Sequence, residues 1–116
     1  MTQITLRPLP PSVNHMYSRG RGGRMFKTQE AKDIQDEYGW QCKEQTRDFY
    51  IGPISVEIIA YFADNRRRDA DNLAKVTLDS LTNIRWEDDS QILDLTIRKR
   101  FDKLNPRLDL IIKDIK

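Results

Sequence analysis

Residues 54–62 read ISVEIIAYF. Ile54, Val56, Ile58, Ala60 and Phe62 alternate with Ser55, Glu57, Ile59 and Tyr61. That period of two places one set of side chains on one face of a strand. Gly52-Pro53 marks the break before it. Downstream, Ala74, Leu78 and Leu81 fall at i, i+4 and i+7, and Leu73 and Val76 widen the stripe. The spacing predicts a helix that starts behind Asp69 as its N-cap and ends near Asn83. A short acidic loop, Glu87-Asp88-Asp89, follows. Leu93, Leu95, Ile97 and Phe101 then share one face of a third strand. Asn105-Pro106 marks a turn, and Leu108, Leu110 and Ile112 alternate with Asp109 and Lys113. The last strand is therefore expected to pair with the third as a hairpin.

Upstream the pattern is sparser. Ile4 and Leu6 alternate with Thr5 and Arg7 until Pro8, Pro10 and Pro11 stop the strand. Residues 12–27 read as a long loop, in which Gly20, Gly22 and Gly23 interleave with Arg19, Arg21 and Arg24. Thr28 is an N-cap with Glu30 in the first turn, and Ala31, Ile34, Tyr38 and Cys42 recur at helical spacing. A helix over about 28–48 follows, at some cost from Gly39. The order β-α-β-α-β-β predicts an α/β class, with one mixed sheet and two helices packed together on one face. No repeat and no boundary interrupts residues 1–116, so one domain is expected, carrying a basic Gly/Arg loop at about 18–27.

Composition narrows the function classes. The chain has 116 residues, 38% hydrophobic and 33% charged, too apolar for disorder and too charged for a membrane protein. The longest uncharged apolar run, residues 58–63, is far too short to span a bilayer. No apolar signal core opens the chain, so a cytoplasmic protein is expected. The single cysteine, Cys42, excludes an internal disulfide and a cysteine-rich zinc site. Histidine-based catalysis would rest on His15 alone. Any catalysis is expected to run on carboxylates and lysine.

The net charge of +2 conceals segregation. Residues 1–27 carry five bases and no acid, residues 28–65 eight acids against three bases, and residues 66–68 are three arginines. Residues 76–91 carry four acids and one base, and residues 92–116 seven bases and four acids. A basic surface with acidic clusters inside it suits an enzyme acting on nucleic acid, because cations hold phosphates while carboxylates hold a metal beside them. A solvated mixed-charge surface has the same composition.

The segment RRRDADNLAK, residues 66–75, concentrates the chemistry. Asp69 at the cap is still extended, so its carboxylate and that of Asp71 can converge before the helix. Asp71 and Lys75, four apart, share a helix face. A third carboxylate could come from Asp88 or Asp89. Mg²⁺ takes one or two carboxylates and completes its shell with water and phosphate, and metal ions both activate water and clamp developing charge. Lys75 would stabilise the transition state or orient the water, and Arg66, Arg67 and Arg68 would hold neighbouring phosphates. Asp-x-Asp alone is equally an ordinary helix cap.

The run RRRDADNLAKVTLDSL followed by WEDDSQILD resembles the RusA family of Holliday junction resolvases, and PPSVNHMY, which includes Asn14, is similar to that family's early proline-rich motif. The resemblance extends over about residues 4–112. It implies a small homodimeric endonuclease with an α/β fold of its own, which binds four-way DNA junctions and, with Mg²⁺ or Mn²⁺, cuts two strands symmetrically. It implies catalytic, metal-holding acids at Asp69, Asp71 and Asp89 and an essential lysine at Lys75. Asp88 takes the less critical acid position, Asn72 and Arg68 brace or contact the site, and Asn14 supports it. One chain carries one Asp-x-Asp cluster, so paired incisions imply two chains. Trp40, Phe49, Tyr50 and the sheet edges are candidate interface positions. Arg19, Arg21, Arg24 and Lys27 are expected on the DNA backbone. Tyr17 and Phe26 are candidates to stack on bases, or simply to pack the loop. Trp86 is expected to pack beneath the acidic loop and fix Asp89. No small-molecule cofactor and no membrane partner are expected, and a phage or prophage origin fits the resemblance. A nuclease preferring forks, and a junction-binding protein whose acids only cap a helix, remain open.

Overall fold

The computed structural model describes residues 1–10, 17–19, 25–64 and 70–115, with backbone alone for 17–19, 25–27 and 70–72. The elements run β1 (Thr2–Leu6), β2 (Tyr17–Arg19), β3 (Met25–Lys27), α1 (Gln29–Gln45), β4 (Ile54–Phe62), α2 (Ala70–Leu81), a 3-10 turn (Asp89–Gln91), β5 (Ile92–Phe101) and β6 (Arg107–Asp114). Four strands form one mixed sheet in the order β1-β6-β4-β5, and β2 and β3 form a separate antiparallel pair.

The stretch 54–62 is the middle of this sheet. Ile54, Val56, Ile58, Ala60 and Phe62 are all buried, and the residues between them half-buried. The even-numbered face meets Tyr38 and Cys42 of α1 and Leu73, Ala74 and Leu81 of α2, along with Ile4, Leu6, Leu108, Leu110 and Ile112. Both helices thus cover one face, as the element order predicts. Burial pushes the Cys42 thiol above its ordinary pKa, while the neighbouring Arg85 pulls it back.

Three expectations are corrected. The last strand does not pair with the third. β5 runs parallel to β4, with Ile58 opposite Ile97, and β6 runs antiparallel to β4 on its other side, with Ile58 opposite Leu110. A parallel pair needs a crossover, and α2 supplies it. Residues 102–106 then pass over the end of β4, where Asp102 N–H donates to Phe62 O at 2.8 Å. Arg107 stacks on Tyr61, its guanidinium 3.9 Å from the ring centre, and pairs with Asp102 and Asp109.

Residues 12–27 are not wholly irregular either: Tyr17 pairs with Lys27 and Arg19 with Met25. Strands of three residues are too short to leave a periodic signal. Finally, α1 stops at Gln45 rather than near 48. Thr46 is already extended, and tertiary bonds draw the chain away beyond it. Thr2 Oγ1 lies 2.6 Å from Asp48 Oδ2 and 2.5 Å from the Tyr50 hydroxyl. The Thr2 hydrogen bond holds the Asp48 carboxyl below its ordinary pKa. Thr28 caps the other end of the helix, accepting from Ala31 N–H. Buried Gly39 lets Ile84 approach, since a Cβ there would lie 3.1 Å from Ile84 Cδ1.

The two sheet edges differ. On β1, Thr5 N–H donates to Gln45 Oε1 at 2.7 Å and Gln45 Nε2 donates to Thr5 O at 2.6 Å. Gln41 does the same to the backbone of Arg7. Two side-chain amides therefore stand where a fifth strand would pair. No described strand pairs with the outer edge of β5.

Candidate active site

The residues of the sequence motif divide between two places. Ala70 opens α2, so Asp71 and Asn72 lie in its first turn. Lys75, one turn beyond Asp71, is exposed and stands on the same helix face by its i, i+4 spacing. Asp69, Arg66, Arg67 and Arg68 lie outside the described residues, as do Asn14, Arg21 and Arg24. Arg19 and Lys27 are backbone positions of β2 and β3.

The acidic turn is built in detail. Trp86 is fully buried, and its Nε1–H donates to Asp89 Oδ1 at 2.9 Å. This is the support expected of Trp86. The Thr82 hydroxyl lies 2.7 Å from the same oxygen and 2.9 Å from Leu78 O. Its one proton can serve either acceptor. Asp89 Oδ1 is thus held on two sides, and Oδ2 has no partner among the described residues. Asp88 is spent locally: its side chain caps the 3-10 turn and accepts from Ser90 Oγ at 2.9 Å. Gln91 completes a capping box, accepting from Asp88 N–H and donating to Tyr50 O and Gly52 O. The role of Thr82 has no sequence signal, because its partner is chosen by the fold. The role of Gln91 does have one, since D-x-x-Q at 88–91 is a capping-box spacing.

Asp89 does not meet the motif at the head of α2 within one chain. The helix runs from the Phe62 end of β4 to its Ile54 end, where Ile92 starts β5 opposite Ile54. Asp71 and Thr82 are eleven residues apart on this course, about 17 Å at helical rise. Asp89 is bonded to Thr82 and directly precedes β5. Among the described residues no three His, Cys, Asp or Glu side chains cluster.

The donors nonetheless suit a hard divalent cation. Asp69, Asp71 and Asp89 offer only oxygen, as Mg²⁺ and Mn²⁺ prefer. A carboxylate with one oxygen anchored and the other open is oriented as metal-holding side chains are by their supporting hydrogen bonds.

No helix of the described residues is long and apolar enough to cross a membrane. The model of the family Endodeoxyribonuclease RusA matches residues 8–113. The crossover junction endodeoxyribonuclease RusA of Escherichia coli strain K12 is 35% identical over 114 residues, covering 97% of this chain and 93% of that protein. The crossover junction endodeoxyribonuclease of Enterobacteria phage 82 shows the same identity and coverage. That of Escherichia coli O139:H28 is 32% identical. With its acid-and-lysine motif at the head of the crossover helix and its braced aspartate before β5, the chain belongs to the RusA family of endodeoxyribonucleases.

Proposed function

We propose that this chain is a crossover junction endodeoxyribonuclease that resolves four-way DNA junctions by paired, symmetric nicks. The observation carrying this reading is the near end-to-end family match, together with Asp71 and Lys75 in the opening turns of a crossover helix. The working unit is a homodimer in the bacterial cytoplasm, each chain one domain. Asp69, Asp71 and Asp89 hold Mg²⁺, or Mn²⁺ in its place. The bound ion would supply a Lewis acid for the phosphate and lower the pKa of a coordinated water.

The chain's own groups do the rest. Arg66, Arg67 and Arg68 and the basic loop residues Arg19, Arg21, Arg24 and Lys27 hold the phosphodiester backbone without reading its sequence. The Lys75 ammonium, one turn from Asp71, meets the negative charge that develops on the phosphate oxygens. Water oxygen bonds to phosphorus, the bond to the sugar oxygen breaks, and the sugar oxygen gains a proton. A ligase can seal the resulting ends.

The test is cleavage of a labelled four-way junction with Mg²⁺, with Mn²⁺ and with EDTA, beside duplex and forked controls. Symmetric junction nicks are expected with either metal and none with EDTA. Asp71→Asn is expected to lower cutting by at least about a thousandfold, in the range seen for groups that stabilise a transition state, with junction binding retained. Preferential cutting of forks would move the substrate to replication intermediates. Binding without cutting of any substrate would make the acidic cluster structural.

A further inference from the structure

The carboxyl ends of the parallel strands β4 and β5 lie together, with Phe62 opposite Phe101. In open α/β sheets, ligand crevices form outside such ends. Two connections leave from there. The one after β4 leads into the head of α2, with Asp71 and Lys75. The one after β5, residues 102–106, crosses the end of β4 to reach β6. This second connection therefore stands at the same end of the sheet as the acid-and-lysine motif.

It is held far more firmly than a surface turn requires. Asp102 O accepts from Asn105 N–H at 3.3 Å, which makes Lys103 and Leu104 the two central residues of a β-turn. Asp102 N–H donates to Phe62 O at 2.8 Å. Asp102 Oδ1 also accepts from Asn105 N–H at 3.2 Å, and its Oδ2 accepts from Arg107 Nη1 at 3.0 Å. The same guanidinium donates to Asn105 O at 2.9 Å. Just past β1, Arg7 sends Nε and Nη2 to Asn105 Oδ1 at 3.1 and 2.8 Å. Both corners of the turn are thus fixed through main chain and side chain, and two arginines brace it from outside.

The tip is what this frame presents. Leu104 is 94% exposed, and Lys103 is exposed beside it. A lone exposed apolar side chain is ordinary. A leucine on a rigid mount can do more, because it can push into a stack of bases without folding back. Apolar wedges, leucine among them, enter between base steps and unstack them. A cation next to the wedge meets the phosphate that flanks the opened step.

Opening a base step costs least where stacking is already interrupted. A four-way junction offers such steps at its branch point, and a continuous duplex offers none. Arginines that hold phosphates do not sense this difference. From these observations we infer that the 102–105 turn is a wedge that selects branched DNA: Leu104 enters the base stack at the branch point, and Lys103 meets the adjoining phosphate. The strand to be cut is thereby positioned at the end of the sheet where Asp71 and Lys75 stand. The inference deepens the junction-nuclease reading and rests on it for the substrate.

The experiment compares the wild type with Leu104→Ser and Leu104→Met in EDTA. The probes are a four-way junction carrying 2-aminopurine at the branch point and a linear duplex with the same fluorophore. Because the side chain lies in solvent, both variants are expected to keep the wild-type urea midpoint. The wild type is expected to brighten the junction probe as the base unstacks and to leave the duplex probe unchanged. Leu104→Ser should abolish most of the rise and weaken junction binding about tenfold relative to duplex binding, the contact that opens the step being lost. Leu104→Met restores an apolar side chain of similar length and should recover both. Single-turnover cleavage of the junction with Mg²⁺ should fall and recover in the same order. A Leu104→Ser protein with the wild-type fluorescence rise and affinity overturns the inference. So does an equal loss on junction and duplex, which would make the turn a general backbone contact, and so does a wild type that binds the junction without brightening it. If the wild type brightens the junction but cuts nothing under either metal, the nuclease reading falls, and the fluorescence of the variants still decides the wedge.

Discussion

Asp89 shows how much depends on groups that never touch substrate. Its Oδ1 takes one hydrogen bond from a fully buried indole and a second from a hydroxyl at the end of α2. Trp86→Phe keeps most of the packing and removes the N–H donor. It is expected to lower junction cleavage about 10- to 100-fold, the effect typical of groups that orient metal-holding side chains. The accompanying loss of stability, about 1–2 kcal/mol for a smaller buried ring, is read separately in urea. Thr82→Ser should retain activity and Thr82→Val should lose it several-fold, because only the valine lacks the donor. Equal activity in both Thr82 variants, measured under single turnover, would assign that hydroxyl to Leu78 O alone. The indole's support of Asp89 was legible in the sequence, since Trp86 lies three residues before it. The hydroxyl's was not. Thr82 sits where the apolar stripe ends, and nothing local marks its partner.

Among elements, the two edge strands carry opposite lessons. Along β1, the glutamine amides of α1 mimic a neighbouring strand, each giving and taking one backbone hydrogen bond. Replacing both glutamines by alanine is expected to lower unfolding stability by about 1–3 kcal/mol, since an internal hydrogen bond nets roughly 0.5–1.5 kcal/mol and water can partly substitute. Urea denaturation checks this. An unchanged midpoint would show that water satisfies the β1 edge equally well. Strand identity was legible throughout the main sheet, because Ile54–Phe62, Ile92–Phe101 and Arg107–Asp114 keep a period of two. Strand neighbours were not legible. Alternation identifies a face but no partner, and a short connection between two strands favours a hairpin. The 3-residue strands β2 and β3 escaped notice for another reason, having too few residues to show any period.

For the whole molecule, the sequence motif names the reacting groups but not which chain each comes from. Spacing along the chain brought Asp89 close to Lys75 on paper. The parallel β4–β5 pair forces α2 to carry the chain back across the sheet, which separates them. In the proposed homodimer, antiparallel pairing of β5 with its copy centred on Ile97 would set Asp94 of each chain opposite Arg100 of the other, and these charges make a sharp prediction. Asp94 and Arg100 are both exposed, so neither is needed for the fold of one chain. Asp94→Arg puts like charges opposite one another at two symmetric places. With about 0.5–1 kcal/mol for each unfavourable cross-strand pair, dimer dissociation should strengthen by about tenfold. Arg100→Asp alone should act similarly. The double exchange, Asp94→Arg with Arg100→Asp, restores opposite charges in the Ile97-centred register and should recover wild-type association. Sedimentation equilibrium over a dilution series reads all four proteins. Recovery in the double variant would tie the interface to this register, because restoring charge on unrelated surfaces has no reason to reverse the defect. Association that ignores every one of these charges would place the dimer interface elsewhere on the chain.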